Sequence, residues 1–192
     1  CLRFLRECGL GGVLADDMGL GKTVQALAYF ESRRQASAGP SLVVAPRSLL
    51  HNWESEAARF APKLRVVRHW GKGRTKSAGG FKEADVVLTT YGTLRLDAPF
   101  LKDAPFDCVV LDEAQAIKNA GSATAKAARL LKGEQRIALS GTPIENRLEE
   151  LWSLMEFLNP GMLGSARVFS GALEAGAGDE GRKMLARALR PF

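Results

Sequence analysis

Short apolar runs rich in β-branched residues recur along the chain, at 11–15, 41–45, 64–67, 85–90, 106–112 and 136–140. They are apolar at nearly every position rather than at every second one, which is the pattern of strands covered on both faces. Between them, 22–36, 48–60, 122–131 and 147–158 read as helices. This alternation predicts an α/β fold, a three-layer α/β/α sandwich built on a mostly parallel sheet. Ligands on such sheets sit at the carboxyl ends of the strands. In the last helix Leu148, Leu151, Trp152, Met155 and Leu158 share one face, a stripe expected to pack into the core. Beyond residue 164 the chain becomes rich in Gly and Ala and the pattern fades.

Composition narrows the class. At 192 residues and 46% hydrophobic, the chain suits one well-buried domain. No apolar run reaches the roughly 20 residues of a membrane helix, so no membrane partner is expected. The opening "CLRFLRECGLGG" does not read as a signal peptide. Cys1, Cys8 and Cys108 lack metal-ligand spacing and read as reduced thiols of a cytoplasmic protein. His51 and His69 are the only histidines, so imidazole chemistry has little material.

The net charge of +6 is concentrated rather than spread. Residues 57–82 carry Arg59, Lys63, Arg65, Arg68, Lys72, Arg74, Lys76 and Lys82 and no acid, leaving 19 of the 27 basic residues against all 21 acidic ones elsewhere. Such a stretch is either a solvated loop or a face for a polyanion.

Three motifs carry chemistry. "DDMGLGKT" lies between a strand and a helix, the setting of a phosphate-binding loop, although Asp16 stands where the usual pattern has its first glycine. Gly19 and Gly21 let backbone approach phosphate oxygens, and the helix N-terminus favours an anion. Lys22 would sit on the β- and γ-phosphates and the Thr23 hydroxyl would ligate Mg²⁺. "FDCVVLDEAQ" delivers Asp112 and Glu113 at the end of an apolar strand. Adjacent buried acids are costly unless a cation meets them. Asp112 would hold Mg²⁺ through water, and Glu113 would orient and deprotonate an attacking water. "ALSGTPIEN" brings Ser140, Gly141 and Thr142 to the same edge, either as a plain strand-to-helix turn or as a segment that bonds 112–115 and reports the nucleotide state.

"DDMGLGKT", "LVVAPRSLLHNW", "VVLTTYGTL", "DEAQAIKN" and "LSGTPIENRLEELWSLMEFLNPGMLG" together resemble, in order and spacing, the Swi/Snf-like ATPases, the superfamily-two, helicase-related DNA translocases. The resemblance runs from about residue 12 to 164, and Asp16 in an aspartate-rich entry is itself a marker of that family. It implies the P-loop NTPase fold of a first RecA-like lobe over 1–164, with 165–192 a helical extension toward a second lobe. It implies ATP and Mg²⁺ as ligands, ATP hydrolysis coupled to movement along double-stranded DNA, and protein cargo on that DNA. By motif, Met18, Gly19, Leu20, Gly21, Lys22 and Thr23 bind nucleotide, Asp112 and Glu113 catalyse with Lys22, and Gln115, Ser140, Gly141 and Thr142 couple.

By the same resemblance Arg47, Thr90, Tyr91, Lys118 and Asn119 are expected near a DNA strand, joined by Lys72, Arg74 and Lys76 of the basic loop. Trp53 also falls in a strand-tracking segment, with core packing the competing role. Gln115 replaces a histidine frequent in related acid motifs. The glutamine segment that reads adenine would lie upstream, and the arginine finger on a second lobe of the same longer chain, beyond "RALRPF". An RNA helicase of the same superfamily and a module that binds without hydrolysing are the alternatives. The expected location is the bacterial cytoplasm, with the nucleoid, or the nucleus in a eukaryote.

Overall fold

A computed structural model describes residues 2–15, 21–36, 38–141, 148–166 and 169. Among these, six strands form one sheet: β1 (Gly12–Ala15), β2 (Ser41–Ala45), β3 (Val66–His69), β4 (Val86–Thr90), β5 (Phe106–Asp112) and β6 (Gly133–Ser140). All pair in parallel in the order β1-β6-β5-β2-β4-β3. Six helices accompany them: α1 (Leu2–Glu7), α2 (Lys22–Gln35), α3 (Leu50–Phe60), α4 (Tyr91–Leu101), α5 (Ala123–Leu130) and α6 (Leu148–Leu158).

The continuous apolar runs have a direct structural cause. Successive strand residues point to opposite faces, and here both faces are covered. Leu42 and Val44 of β2, with Val109 and Leu111 of β5, pack under α4, α5 and α6. Val43, Ala45, Cys108 and Val110 pack under α2 and α3. The three-layer α/β/α architecture expected from the sequence is the one observed.

Local boundaries depart from expectation where polar groups find partners. β3 starts later than residue 64, because the Arg65 amide donates to the Asp85 carboxylate at 2.8 Å before the ladder begins. β6 starts at Gly133, since buried Gln135 is satisfied by the Tyr29 hydroxyl and donates to the Leu2 carbonyl. α1 and α4 are additional to the expected helices. α4 contains Gly92, Thr93 and Pro99, which weaken helix propensity. It forms because Thr90 caps it, accepting the Thr93 amide at 3.0 Å, and because Leu94, Ala98 and Leu101 are buried. In α6 the buried face is Ser153, Leu154, Met155, Phe157 and Leu158, while Leu151 and Trp152 are half-buried, so the expected stripe is rotated toward the core at its C-terminal end.

Candidate nucleotide site

The strand order brings the first and second motifs together across β6. β6 pairs β1 on one side and β5 on the other, with Ala15 opposite Ser140 and Leu139 opposite Asp112. The strand that enters the phosphate loop and the strand that ends in the acids are therefore separated only by the strand that ends in Ser140. Met18, Gly19, Leu20, Thr142 and Asp16 lie outside the described residues. Ser140 is buried and Gly141 is half-buried.

Gly21 precedes α2 with φ 77° and ψ 28°, a left-handed backbone that glycine adopts without a Cβ penalty. Lys22 and Thr23 are the first two residues of α2 and are half-buried. Amide groups at a helix start have no intrahelical partner, so this end favours an anion.

Asp112 is 8% exposed. Its Oδ2 accepts the Trp53 indole N–H at 2.8 Å and its Oδ1 accepts the Glu113 amide at 3.0 Å. Burial pushes its pKa above the ordinary carboxylate value. The indole bond and the Glu113 amide oppose that shift, the Glu113 charge adds to it, and the positive charge of Lys22 opposes it. Lys22 thus acts on Asp112 through space although about 90 residues separate them in sequence. The Tyr91 hydroxyl donates to the Asp112 carbonyl at 2.8 Å, and burial raises its pKa far above the phenol value.

Glu113 is the only non-glycine with positive φ among the described residues, at φ 51° and ψ 57°. Holding such a residue left-handed costs on the order of 1–3 kcal/mol and recurs at functional sites. The turn swings the chain off β5 and leaves the Glu113 side chain half-buried, where its Oε2 accepts the Gln115 amide at 2.6 Å.

The remaining sequence candidates occupy the other half of the same edge, after β5, β2, β4 and β3. Arg47 is exposed in the 3₁₀ turn Arg47–Leu49 after β2. Thr90 and Tyr91 join β4 to α4, with Thr90 capping and the Tyr91 hydroxyl turned inward on β5. Lys118 and Asn119 follow β5. Lys118 is exposed, 3.8 Å from Glu150, and Asn119 accepts the Gly121 amide.

The basic stretch divides by residue type. Arg65 pairs with Asp85 and Glu83, Arg68 with Glu54, and Arg74 with Asp97 at 2.9 Å through Nη2. Asp97 also meets Nε2 of fully buried His69 at 3.0 Å, and burial lowers the His69 pKa. Arg74, expected as a DNA contact, therefore has its guanidinium engaged in pinning the loop to α4. Lys72 and Lys76 are exposed, with no ion-pair partner among the described residues. Trp53 lies in the core, 1% exposed, as one of its two sequence roles required. Its bond to Asp112 does not follow from the sequence pattern; that a buried indole N–H usually finds an acceptor is the one signal for it.

Among the described residues no three His, Cys, Asp or Glu cluster as a metal site, and no helix is long and apolar enough to cross a membrane. A family model described as SNF2-related domain matches residues 2–192. The chain is 51% identical over 175 residues to YwqA of Bacillus subtilis, provisionally named an ATP-dependent helicase/translocase; the match covers 88% of the chain and 19% of YwqA. It is 39% identical over 181 residues to the chromatin-remodeling ATPase INO80 of Schizosaccharomyces pombe, covering 86% of the chain and 11% of that protein. The chain thus spans about a fifth or less of the length of these curated relatives. Its fold matches the Sulfolobus solfataricus SWI2/SNF2 ATPase core in complex with dsDNA with a TM-score of 0.90 at 42% identity, covering 100% of this chain and 41% of that one.

Proposed function

Because the chain belongs to the SNF2-related family, we propose that it is the ATP-binding lobe of a motor that hydrolyses ATP to move along duplex DNA. The observation that carries the reading is the placing of Asp112 and Glu113 one strand away from the strand entering the phosphate loop, with the Lys22 charge acting on Asp112. The domain boundary belongs to the same reading: residues 1–164 form the lobe, and 165–192 lead toward a second RecA-like lobe that completes the site.

In this reading Gly21 and the start of α2 receive the phosphates, and Lys22 places its charge on them. Glu113 orients the attacking water and accepts its proton, held by the Gln115 amide. Ser140, between the two motifs, senses whether the γ-phosphate is present. The donor set fits Mg²⁺, a cation of oxygen ligands that keeps several waters and is shared with substrate phosphates, so it needs no cluster of protein acids. Thr23 and Asp112 are the residues that would hold it. Bound with ATP, Mg²⁺ neutralises charge on the β- and γ-phosphates.

Arg47, Thr90, Lys118, Asn119, Lys72 and Lys76 line the edge from β5 to β3 and would meet DNA phosphates, a contact without sequence preference. The protein would then act on DNA in the bacterial cytoplasm, with proteins on that DNA as its load. The test is ATPase activity of the full-length protein with duplex DNA and with RNA. DNA should stimulate, and Lys22→Ala should abolish turnover. Stimulation by RNA alone would favour an RNA helicase, and full activity of Lys22→Ala would overturn the site. Vigorous hydrolysis by residues 1–192 alone would remove the need for a second lobe.

A further inference from the structure

The Asp112 carboxylate is held from two directions. Trp53 Nε1–H donates to Oδ2 at 2.8 Å and the Glu113 amide donates to Oδ1 at 3.0 Å. A carboxylate bonded through both oxygens cannot turn about its last torsion without losing one bond. The indole is itself immobile. It is 1% exposed, and its ring stacks on Phe30 of α2 with centroids 6.5 Å apart and planes inclined by 26°. α2 opens with Lys22 and Thr23, and α3, which carries Trp53, follows the turn containing Arg47. One rigid ring therefore touches the helix that begins at the phosphate site and the strand that ends in the acids.

Core packing alone would account for the ring but not for the N–H. Phenylalanine or leucine fills apolar space without a polar atom to satisfy. Here the polar tip of the ring is spent on the residue assigned to the metal, the geometry by which an outer partner orients a ligating group.

We propose that Trp53 is a positioning residue for ATP hydrolysis, its indole N–H holding the Asp112 carboxylate in the single orientation used with Mg–ATP. The inference rests on the nucleotide-site reading above. It adds a residue that touches neither nucleotide nor metal.

The test replaces Trp53 in the full-length protein with β-(3-benzothienyl)alanine, which keeps the ring shape and lacks the N–H, and separately makes Trp53→Phe. Mn²⁺ affinity is read by electron paramagnetic resonance with a non-hydrolysable ATP analogue present, together with kcat, KM for ATP and Tm without ligands. The benzothienyl variant should keep its Tm within a few degrees, weaken Mn²⁺ binding by roughly 10–100-fold and lower kcat in the same range, with KM for ATP little changed. In an Asp112→Ala background, which removes the acceptor of the indole N–H, the same replacement should have no further effect on Mn²⁺ binding. Wild-type Mn²⁺ affinity in the benzothienyl variant, or in Trp53→Phe if the first does not fold, would overturn the proposal and leave Trp53 a packing residue. Loss that persists undiminished in the Asp112→Ala background would overturn it as well. Nucleotide-dependent Mn²⁺ binding that survives Lys22→Ala would instead count against the nucleotide site itself.

Discussion

Asp107 and Asp112 stand at opposite ends of β5, both buried, and they are stabilised in opposite ways. Asp107 is gripped by two guanidinium groups: Arg6 reaches Oδ1 at 2.6 Å, and Arg33 donates to both oxygens at 2.9 Å. Asp112 receives its described hydrogen bonds from an indole and a backbone amide, both neutral, and the positive charge that acts on it is that of Lys22. The amino end of the strand is a closed ion-pair network that ties α1 and α2 to the sheet. The carboxyl end keeps an acid whose negative charge is only partly answered, as a site for a cationic ligand requires. One strand thus separates a carboxylate held by two cations from one held by neutral donors.

The largest effect expected from this contrast is at the amino end. Asp107→Asn leaves two partly buried arginines without their carboxylate, and should cost about 3 kcal/mol, a fall in Tm of roughly 6–12 °C for a domain of this size. Thermal or urea melts check it, and a Tm within a degree of wild type would erase the distinction between the two acids.

Asp112→Asn should move stability the other way. Burial raises the Asp112 pKa in the folded state, so the ionised form costs stability above that pKa and the cost is relieved as the pH falls through it. Without ligands at neutral pH the Asn variant should melt higher than wild type, by about 2–4 °C if it recovers about 1 kcal/mol. The advantage should shrink on acidification through the carboxylate range. Melts at a series of pH values test the sign, and a destabilised variant at neutral pH would refute it.

The same division between answered and unanswered charge recurs in the basic loop, with a smaller effect per residue. Replacing Lys72 and Lys76 by Gln should flatten the log–log salt dependence of DNA binding by roughly 1.8. Arg74→Gln, which breaks the pairing with Asp97, should instead lower Tm and change the slope less. Equal slope changes for Arg74 and each lysine would show that the arginine faces DNA after all.

The parts legible in sequence are those where one local rule governs. Strands buried on both faces must be apolar throughout, so β2 and β5 stand at their expected bounds. The candidate site is read from two short motifs far apart in sequence, one with Gly21 and Lys22, the other with Asp112 and Glu113, and the strand order sets them on either side of β6. α4 was not legible, because its residues are poor helix formers and its stability comes from the Thr90 cap and burial against the sheet. Nor was the role of Trp53. The indole reaches Asp112 only because β2, which leads into α3, is the neighbour of β5, a fact of topology rather than of spacing. In the basic stretch, arginine and lysine count alike as charge, and the acids that engage Arg68 and Arg74 lie outside it, at Glu54 and Asp97.

Asn159, just past α6, is bonded across the molecule to the residue before β1. Its Oδ1 accepts the Gly11 amide at 2.8 Å and its Nδ2 donates to the Gly11 carbonyl at 3.4 Å. A Cβ on Gly11 would come within 2.6 Å of the Leu158 carbonyl oxygen, so the two backbones are in direct contact. Residue 159 is thereby tied to Gly11, so a displacement of the chain there is passed directly to the root of β1.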